Sequence, residues 1–189
     1  MILPSLSKVC ESIIHERLLS HCTSNKIITD KQAAFLKGDS KISQLLYLIH
    51  QIRTSWGNGK ITHGLFLDIS NAFDKVWHKG LLAKLEQIGI SQAVLSLFNS
   101  YLSNRKQCVV VDGVKSPFVN INAGVPQGSR LGPLLFIIYI NDIVDNLESD
   151  ILIFADDCSL LASGLDPAET AEQLNRDLIK ISAWAQTRC

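Results

Sequence analysis

Ile151-Leu152-Ile153-Phe154-Ala155-Asp156-Asp157-Cys158-Ser159-Leu160-Leu161-Ala162 is an apolar run interrupted at its centre by two adjacent carboxylates. Apolar residues on both sides read as two short strands, 151–155 and 158–162, hinged on Asp156-Asp157. Upstream, residues 62–69 form a third short apolar strand that ends at a carboxylate in the same way, in Gly64-Leu65-Phe66-Leu67-Asp68-Ile69. Around these strands the pattern is mixed. Apolar residues at helical spacing mark 6–19 and 43–52, followed by a Gly57-Asn58-Gly59 turn. Residues 81–88 and 92–102 read as two helices split near Gly89. Strands 107–111 and 117–121 flank Asp112-Gly113, a strong hairpin signal. A loop over 124–132 carries three glycines before Pro133. Helix 134–147 follows, and a last helix runs from near Pro167 to about Thr187. Hairpins and helices in this order predict an α+β domain with a largely antiparallel sheet.

The carboxylates are the chemically informative part. A carboxylate at the end of an apolar strand is costly if buried without a partner, because burial disfavours the charged form. Two adjacent ones add repulsion of roughly 4 kcal/mol at a separation of about 4 Å and an effective dielectric near 20. A divalent cation removes that conflict. Mg²⁺ favours carboxylate oxygens and substrate phosphates. Two such ions about 4 Å apart can activate a hydroxyl and stabilise a leaving oxygen in phosphoryl transfer. Taken alone, however, Asp-Asp in a hairpin is also an ordinary solvated turn, and a lone Asp after a strand often caps the next helix.

Composition sets outer limits. The chain has 189 residues, 47% hydrophobic and 19% charged, which is enough for a folded core. Lys plus Arg and Asp plus Glu both number 18, so the balance does not of itself favour a polyanion partner. Five cysteines occur without a C-x-x-C pair. A disulfide framework or zinc site is not expected, and a reducing, intracellular compartment (nuclear or cytoplasmic) fits best. The stretch 134–140 is far too short to span a bilayer, so no membrane partner is expected and a buried helix is.

Three segments change the reading of the acids. Phe66-Leu67-Asp68-Ile69-Ser70-Asn71-Ala72-Phe73-Asp74-Lys75-Val76 resembles the first catalytic motif of non-LTR retrotransposon reverse transcriptases. Ala123-Gly124-Val125-Pro126-Gln127-Gly128-Ser129-Arg130-Leu131-Gly132-Pro133 resembles their nucleotide- and template-positioning motif. Phe154-Ala155-Asp156-Asp157 is similar to their aromatic-x-Asp-Asp hairpin. The three stand in the family's order, and the resemblance covers nearly the whole chain. It implies a right-hand polymerase palm, an antiparallel sheet backed by helices, over 61–189, with partial fingers over 1–60. It implies RNA-directed DNA polymerase activity, in which a primer 3′-hydroxyl attacks the α-phosphate of a dNTP on an RNA or DNA template.

Site roles follow from the same resemblance. Asp68, Asp156 and Asp157 would hold two Mg²⁺ ions (Mn²⁺ as a substitute), with the Ile69 carbonyl as an additional ligand. Phe73 would lie under the nucleotide sugar and exclude a 2′-hydroxyl. Gln127, held by Pro126 and Gly128, would contact nucleotide and template. Lys37, before Gly38, would grip the triphosphate. That last segment departs from the family, which shows Phe-Arg-x-Gly where this chain has Phe35-Leu36-Lys37-Gly38; Leu36 cannot neutralise a phosphate. Asp74 reads as structural or solvated, and the five histidines show no ligand spacing. The chain lacks counterparts of the upstream fingers strands, the primer grip and the thumb, so weak or no polymerase activity is expected of it in isolation. The alternative is a truncated, catalytically incompetent retroelement remnant that serves as a nucleic-acid- or partner-binding module.

Overall fold

The computed structural model describes residues 5–36, 38 and 40–188. In chain order it forms α1 (Ser5–Ser24), α2 (Lys41–Gly57), β1 (Ile61–Asp68), a 3₁₀ turn (Ala72–Asp74), α3 (His78–Gln87) and α4 (Gln92–Leu102). Then come β2 (Arg105–Gln107), β3 (Val110–Val111), β4 (Val114–Lys115), β5 (Val119–Ile121) and α5 (Leu131–Ile140). A second 3₁₀ turn (Asn141–Val144), β6 (Asp150–Phe154), β7 (Asp157–Gly164) and α6 (Pro167–Arg188) complete it. The expected α+β class is observed. The described residues form two compact units, one from within 22–70 and 140–188, the other from 5–21 and 71–139.

The first of these units is built on a three-stranded antiparallel sheet of order β1-β7-β6. β7 lies in the middle, so Cys158, Leu160, Leu161 and Ala162 are all buried. One face takes α6, where Leu174 and Ile181 are buried and Thr170 Oγ1 meets His63 Nδ1 at 2.9 Å. The outer edge of β6 is not left open. Ile153 N–H donates to the Lys31 carbonyl at 2.9 Å and Ala33 N–H to the Ile153 carbonyl at 3.0 Å, a short parallel bridge that blunts the edge. Asp177, fully buried on α6, accepts from the backbone N–H groups of Glu148 and Ser149 at 3.0 and 2.8 Å and so fixes the approach to β6.

The second unit centres on α5. Leu134, Leu135, Phe136 and Ile137 are all buried, as the apolar run predicts. The helix starts at Leu131 rather than 134, because Pro133 sits in the first turn, where N–H groups have no intrahelical acceptor to lose. It ends at Ile140 rather than 147 and gives way to the 3₁₀ turn. α3 packs on α4. Buried Lys84 donates to the Tyr139 carbonyl and lies over the Tyr139 ring. The hairpin at Asp112-Gly113 is present, with φ of 50° and 80° at the two turn residues, the type I′ pattern. Its return strand differs from expectation. β4 begins at Val114, and Pro117, which has no N–H to give, separates it from β5. Among the described residues no helix is long and apolar enough to cross a membrane.

Candidate active site

Strand pairing alone brings the distant acids together. In the antiparallel register Asp68 stands opposite Asp157, and Asp157 in turn stands opposite Phe154 on β6. Directly opposed residues project from the same sheet face, with Cβ atoms roughly 4.5–5.5 Å apart. Ala155 and Asp156 form the two-residue turn between β6 and β7. Ala155 has φ of 58°, while Asp156 does not have positive φ. Positive φ at the first turn residue alone is the type II′ pattern, where glycine is normally found. A Cβ there costs about 1–2 kcal/mol, so the turn must be held from outside.

It is held by glutamines. Gln32, 2% exposed, accepts through Oε1 from Ala155 N–H at 3.1 Å and from Ala34 N–H at 2.9 Å. Gln44 on α2 donates through Nε2 to the Ile153 carbonyl at 2.7 Å and to the Lys31 carbonyl at 3.2 Å. From the β1 side, Ile69 N–H approaches the Asp156 carbonyl at 3.4 Å. The turn is thus tied at Ile153, Ala155 and Asp156 before any ligand arrives.

The three acids carry charge of one sign. Asp68 and Asp157 are exposed and Asp156 is half-buried. Among the described residues none of the three side chains has a hydrogen bond or ion pair. Their field reaches Cys158, whose thiol is pushed up to about 12, first by burial and then by the charges of Asp157 and Asp156. Lys41 stands nearby, its Nζ 4.7 Å from the Phe154 ring centre, and lines a cavity of about 190 Å³ together with Asp157, Phe66 and Phe154. Among the described residues no three His, Cys, Asp or Glu side chains close into a ready-made metal cage. The donor set still fits Mg²⁺. It consists of hard oxygens, unpaired and accessible, and Mg²⁺ keeps several waters and draws its remaining ligands from substrate phosphates rather than from an all-protein cage.

Phe73, Pro126, Gln127 and Gly128 lie in the second unit. Phe73 is half-buried and stacks on Phe136, with ring centroids 4.3 Å apart. Pro126 to Ser129 form a turn closed by Ser129 N–H to the Pro126 carbonyl at 3.2 Å. Gly128, with φ of 79°, takes the third position, as a type II turn requires. Gln127 is thereby presented at an exposed corner, and its Nε2 donates to both carboxylate oxygens of Asp74, at 2.9 and 3.1 Å. The loop is stitched to the preceding 3₁₀ turn by Gly124 N–H to the Val76 carbonyl and Val125 N–H to the Phe73 carbonyl, both at 2.8 Å. A Cβ on Gly124 would meet the Asp74 backbone at 2.8–3.0 Å, so only glycine permits this approach.

Lys37 lies outside the described residues. Gly38 is exposed with φ of 95°. Several residues with a part in this geometry carry no signal in composition or spacing. Gln32 and Gln44 each act by two side-chain-to-backbone hydrogen bonds, which leave no periodic trace. His78, whose ring nitrogen meets the Gly124 carbonyl at 2.8 Å, is a loop tether. Asp74 partners Gln127, and only the 53-residue closure of the chain reveals it.

The chain matches the family described as Reverse transcriptase (RNA-dependent DNA polymerase) over residues 1–188. It is 35% identical over 190 residues to a probable RNA-directed DNA polymerase from transposon X-element of Drosophila melanogaster, covering 98% of this chain and 21% of that protein. It is likewise 35% identical over 193 residues to the RNA-directed DNA polymerase from mobile element jockey of the same organism, again 98% and 21%. The chain therefore spans about a fifth of the length of these relatives. Among solved structures, apo telomerase from Candida tropicalis, truncated from the C-terminal domain, superposes with a TM-score of 0.62 at 13% identity, over 89% of this chain and 36% of that one. Telomerase from Candida albicans, in complex with a fragment of telomeric RNA, gives 0.60 at 16% identity, over 90% and 32%. These structural likenesses concern the right-hand polymerase fold.

Proposed function

Because the chain belongs to the reverse transcriptase (RNA-dependent DNA polymerase) family, we propose that it carries the polymerising site of an RNA-directed DNA polymerase of the non-LTR retrotransposon kind. The reaction is nucleotidyl transfer from a dNTP to a primer 3′-hydroxyl on an RNA or DNA template. The observation that carries the proposal is the pairing of Asp68 with Asp157 next to the Asp156 turn. Residues 1–60 serve as partial fingers and 61–189 as palm.

Asp68, Asp156 and Asp157, with the Ile69 carbonyl, would hold divalent ions, Mg²⁺ first among them. Such ions supply Lewis-acid stabilisation of the attacking and leaving oxygens. The chain's own part is to concentrate negative charge at one strand end and to fix it there through Gln32 and Gln44. Pre-set geometry is worth several kcal/mol of barrier in bimolecular reactions. Gln127, on its Pro126-Gly128 turn, contacts nucleotide and template, and Phe73 sets the sugar preference. Lys37 contributes charge toward the triphosphate. Nothing in the family match favours the alternative of a non-catalytic remnant.

Primer extension on poly(rA)-oligo(dT) with Mg²⁺ and dTTP tests the reading, with Asp156→Asn as control. Incorporation abolished by that substitution supports it. A variant that incorporates dTTP as well as the parent ends the carboxylate assignment.

A further inference from the structure

We infer that Glu11 of α1 is a positioning residue for nucleotide addition: its carboxylate holds the loop that presents Gln127, through the Arg130 N–H, and losing it weakens nucleotide binding. The inference rests on the reading of Gln127 as a nucleotide contact.

Glu11 is only 5% exposed. A buried carboxylate is costly unless its oxygens are hydrogen-bonded. Here both are. Oε2 accepts from Arg130 N–H at 2.8 Å, across 119 residues of chain, and Oε1 accepts from the Tyr101 hydroxyl at 3.2 Å. Burial pushes that hydroxyl up to about 12, so it stays a donor. Arg130 directly precedes α5, whose first N–H groups have no intrahelical acceptor. Ser129 Oγ serves the Gly132 N–H at 2.8 Å, and Glu11 serves that of Arg130. Negative charge suits this end of a helix.

Gln127 stands midway between Gly124 and Arg130. On the Gly124 side the loop is tied backbone to backbone, by the 2.8 Å bonds to Val76 and Phe73. On the Arg130 side the tie to α1 is made by side chains. A cavity of about 370 Å³ lies there, lined by Glu11, Tyr101, Pro126 and Leu131 among others. Packing against that side of the loop is incomplete, so hydrogen bonds carry its position. The Arg130 guanidinium also reaches α1, with Nη1 3.3 Å from Ser12 Oγ and Nη2 3.9 Å from Glu16. That ion pair is more than half exposed on both sides, and such pairs contribute little. A hydrogen bond to a buried carboxylate is among the stronger ones. Glu11, and not the guanidinium, is the anchor.

The test uses the full chain and two readouts. Backbone amide hydrogen exchange reads the anchor. In Glu11→Leu, which fills the space but accepts nothing, the amide of Arg130 should exchange about tenfold faster. Arg130→Ala keeps the backbone N–H, so exchange at that position should stay slow. Steady-state primer extension on poly(rA)-oligo(dT) with Mg²⁺ reads the function. Glu11→Leu should raise KM for dTTP about three- to tenfold with kcat nearly kept, the pattern of lost binding. A merely structural role would lower the folded fraction, and with it kcat, and leave KM where it was. Glu11→Gln, whose amide oxygen still accepts from Arg130, should restore both KM and slow exchange. Gln127→Ala should raise KM by a similar factor, and adding Glu11→Leu to it should raise KM no further. Unchanged KM in Glu11→Leu, no rescue by Glu11→Gln, or multiplied losses in the double variant overturns the positioning role. Unchanged exchange at Arg130 overturns the anchor. If the parent chain incorporates no dTTP, the polymerase reading falls and takes the nucleotide role with it. Exchange at Arg130 then still decides whether Glu11 holds the loop.

Discussion

Asp68 and Asp157 are direct cross-strand partners, 89 residues apart in the chain yet opposed in the β1–β7 register. Like charges placed directly opposite are destabilising in a sheet. With Asp156 adjacent and no cation partner among the described residues, the carboxylates repel one another, and the proposed ions would relieve that repulsion. Millimolar Mg²⁺ is therefore expected to raise the melting temperature of the parent chain, because a ligand that binds only the folded state stabilises it by mass action. Asp68→Asn and Asp157→Asn should melt at or above the metal-free parent and lose the Mg²⁺ response. Differential scanning fluorimetry with and without Mg²⁺ checks this independently of catalysis. An unaltered Mg²⁺ response in both variants would refute the shared-ion assignment.

The same charges predict an inert cysteine. Cys158 is buried and its thiol is held near 12 by that burial and by Asp157 and Asp156. The thiolate is the reactive form, so at pH 8 iodoacetamide should label exposed Cys10 in the native chain and leave Cys158 unmodified until denaturant is added. Mass spectrometry of labelled peptides reads the result. Rapid native labelling of Cys158 would show that the β7 core opens on the timescale of the experiment.

Acid stability should depend on the cluster that anchors β6. Hydrogen bonds from Arg176 and then Lys180 lower Glu148 from its ordinary 4.5 to about 2. Burial works to raise Asp177, but the backbone N–H groups of Glu148 and Ser149 prevail and its pKa is lowered. Carboxyls with depressed folded values favour folding above their unfolded pKa, and that contribution disappears as the pH falls through the folded value. The loss should therefore run from about pH 4.5 down to about pH 2. Glu148→Gln is expected to flatten the dependence of unfolding free energy on pH across that window. Asp177→Ala should cost about 1–3 kcal/mol near neutrality by leaving two backbone donors unpaired. Urea titrations at a series of pH values measure both.

Gly124 and Gly113 make a matched pair. Both have positive φ, at 87° and 80°. A Cβ at Gly113 meets nothing within 4 Å, whereas at Gly124 it would lie 2.8 Å from the Asp74 carbonyl oxygen. Gly113→Ala should therefore cost only the backbone strain of about 1–2 kcal/mol. Gly124→Ala should cost more, and it should also separate Gln127 from Asp74. Chemical denaturation ranks the two, and equal losses would mean that the loop yields without effort.

The legible part of this molecule was what repeats locally. The α4 helix, the Asp112-Gly113 hairpin and the strands around Asp156-Asp157 follow from periodicity and turn chemistry, and they appear where expected to within a few residues. The motif segments around Asp68, Gln127 and Asp156 identify the family. What was not legible depends on single long-range contacts. The strands expected over 107–111 and 117–121 are instead four short ones, Arg105–Gln107, Val110–Val111, Val114–Lys115 and Val119–Ile121, with Pro117 and its missing N–H between the last two. Asp74 looks like a solvated turn residue until the loop at Gln127 closes upon it. No pattern in the chain marks Gln32, because one amide oxygen serving two backbone donors leaves no periodic trace.

Gln32 supplies the last prediction. Its Oε1 satisfies Ala155 N–H inside a turn that an alanine enters only under strain, and its Nε2 is buried with no partner among the described residues. The oxygen and the nitrogen therefore carry different weight. Gln32→Met keeps the volume but removes the acceptor, leaving the Ala155 and Ala34 donors unpaired at about 1–3 kcal/mol. Gln32→Glu retains an acceptor and replaces only the unpartnered nitrogen, but it brings a fourth carboxylate to the turn. The Met variant should lose stability and also soften the Asp156 turn, seen as faster amide hydrogen exchange at Ala155 and Asp156. The Glu variant should keep slow exchange at Ala155 near neutral pH. Its Mg²⁺-dependent rise in melting temperature should exceed the parent's, since a bound cation then offsets more charge. Unchanged exchange at Ala155 in Gln32→Met would mean that the turn is held by Gln44 and the strand ladder alone.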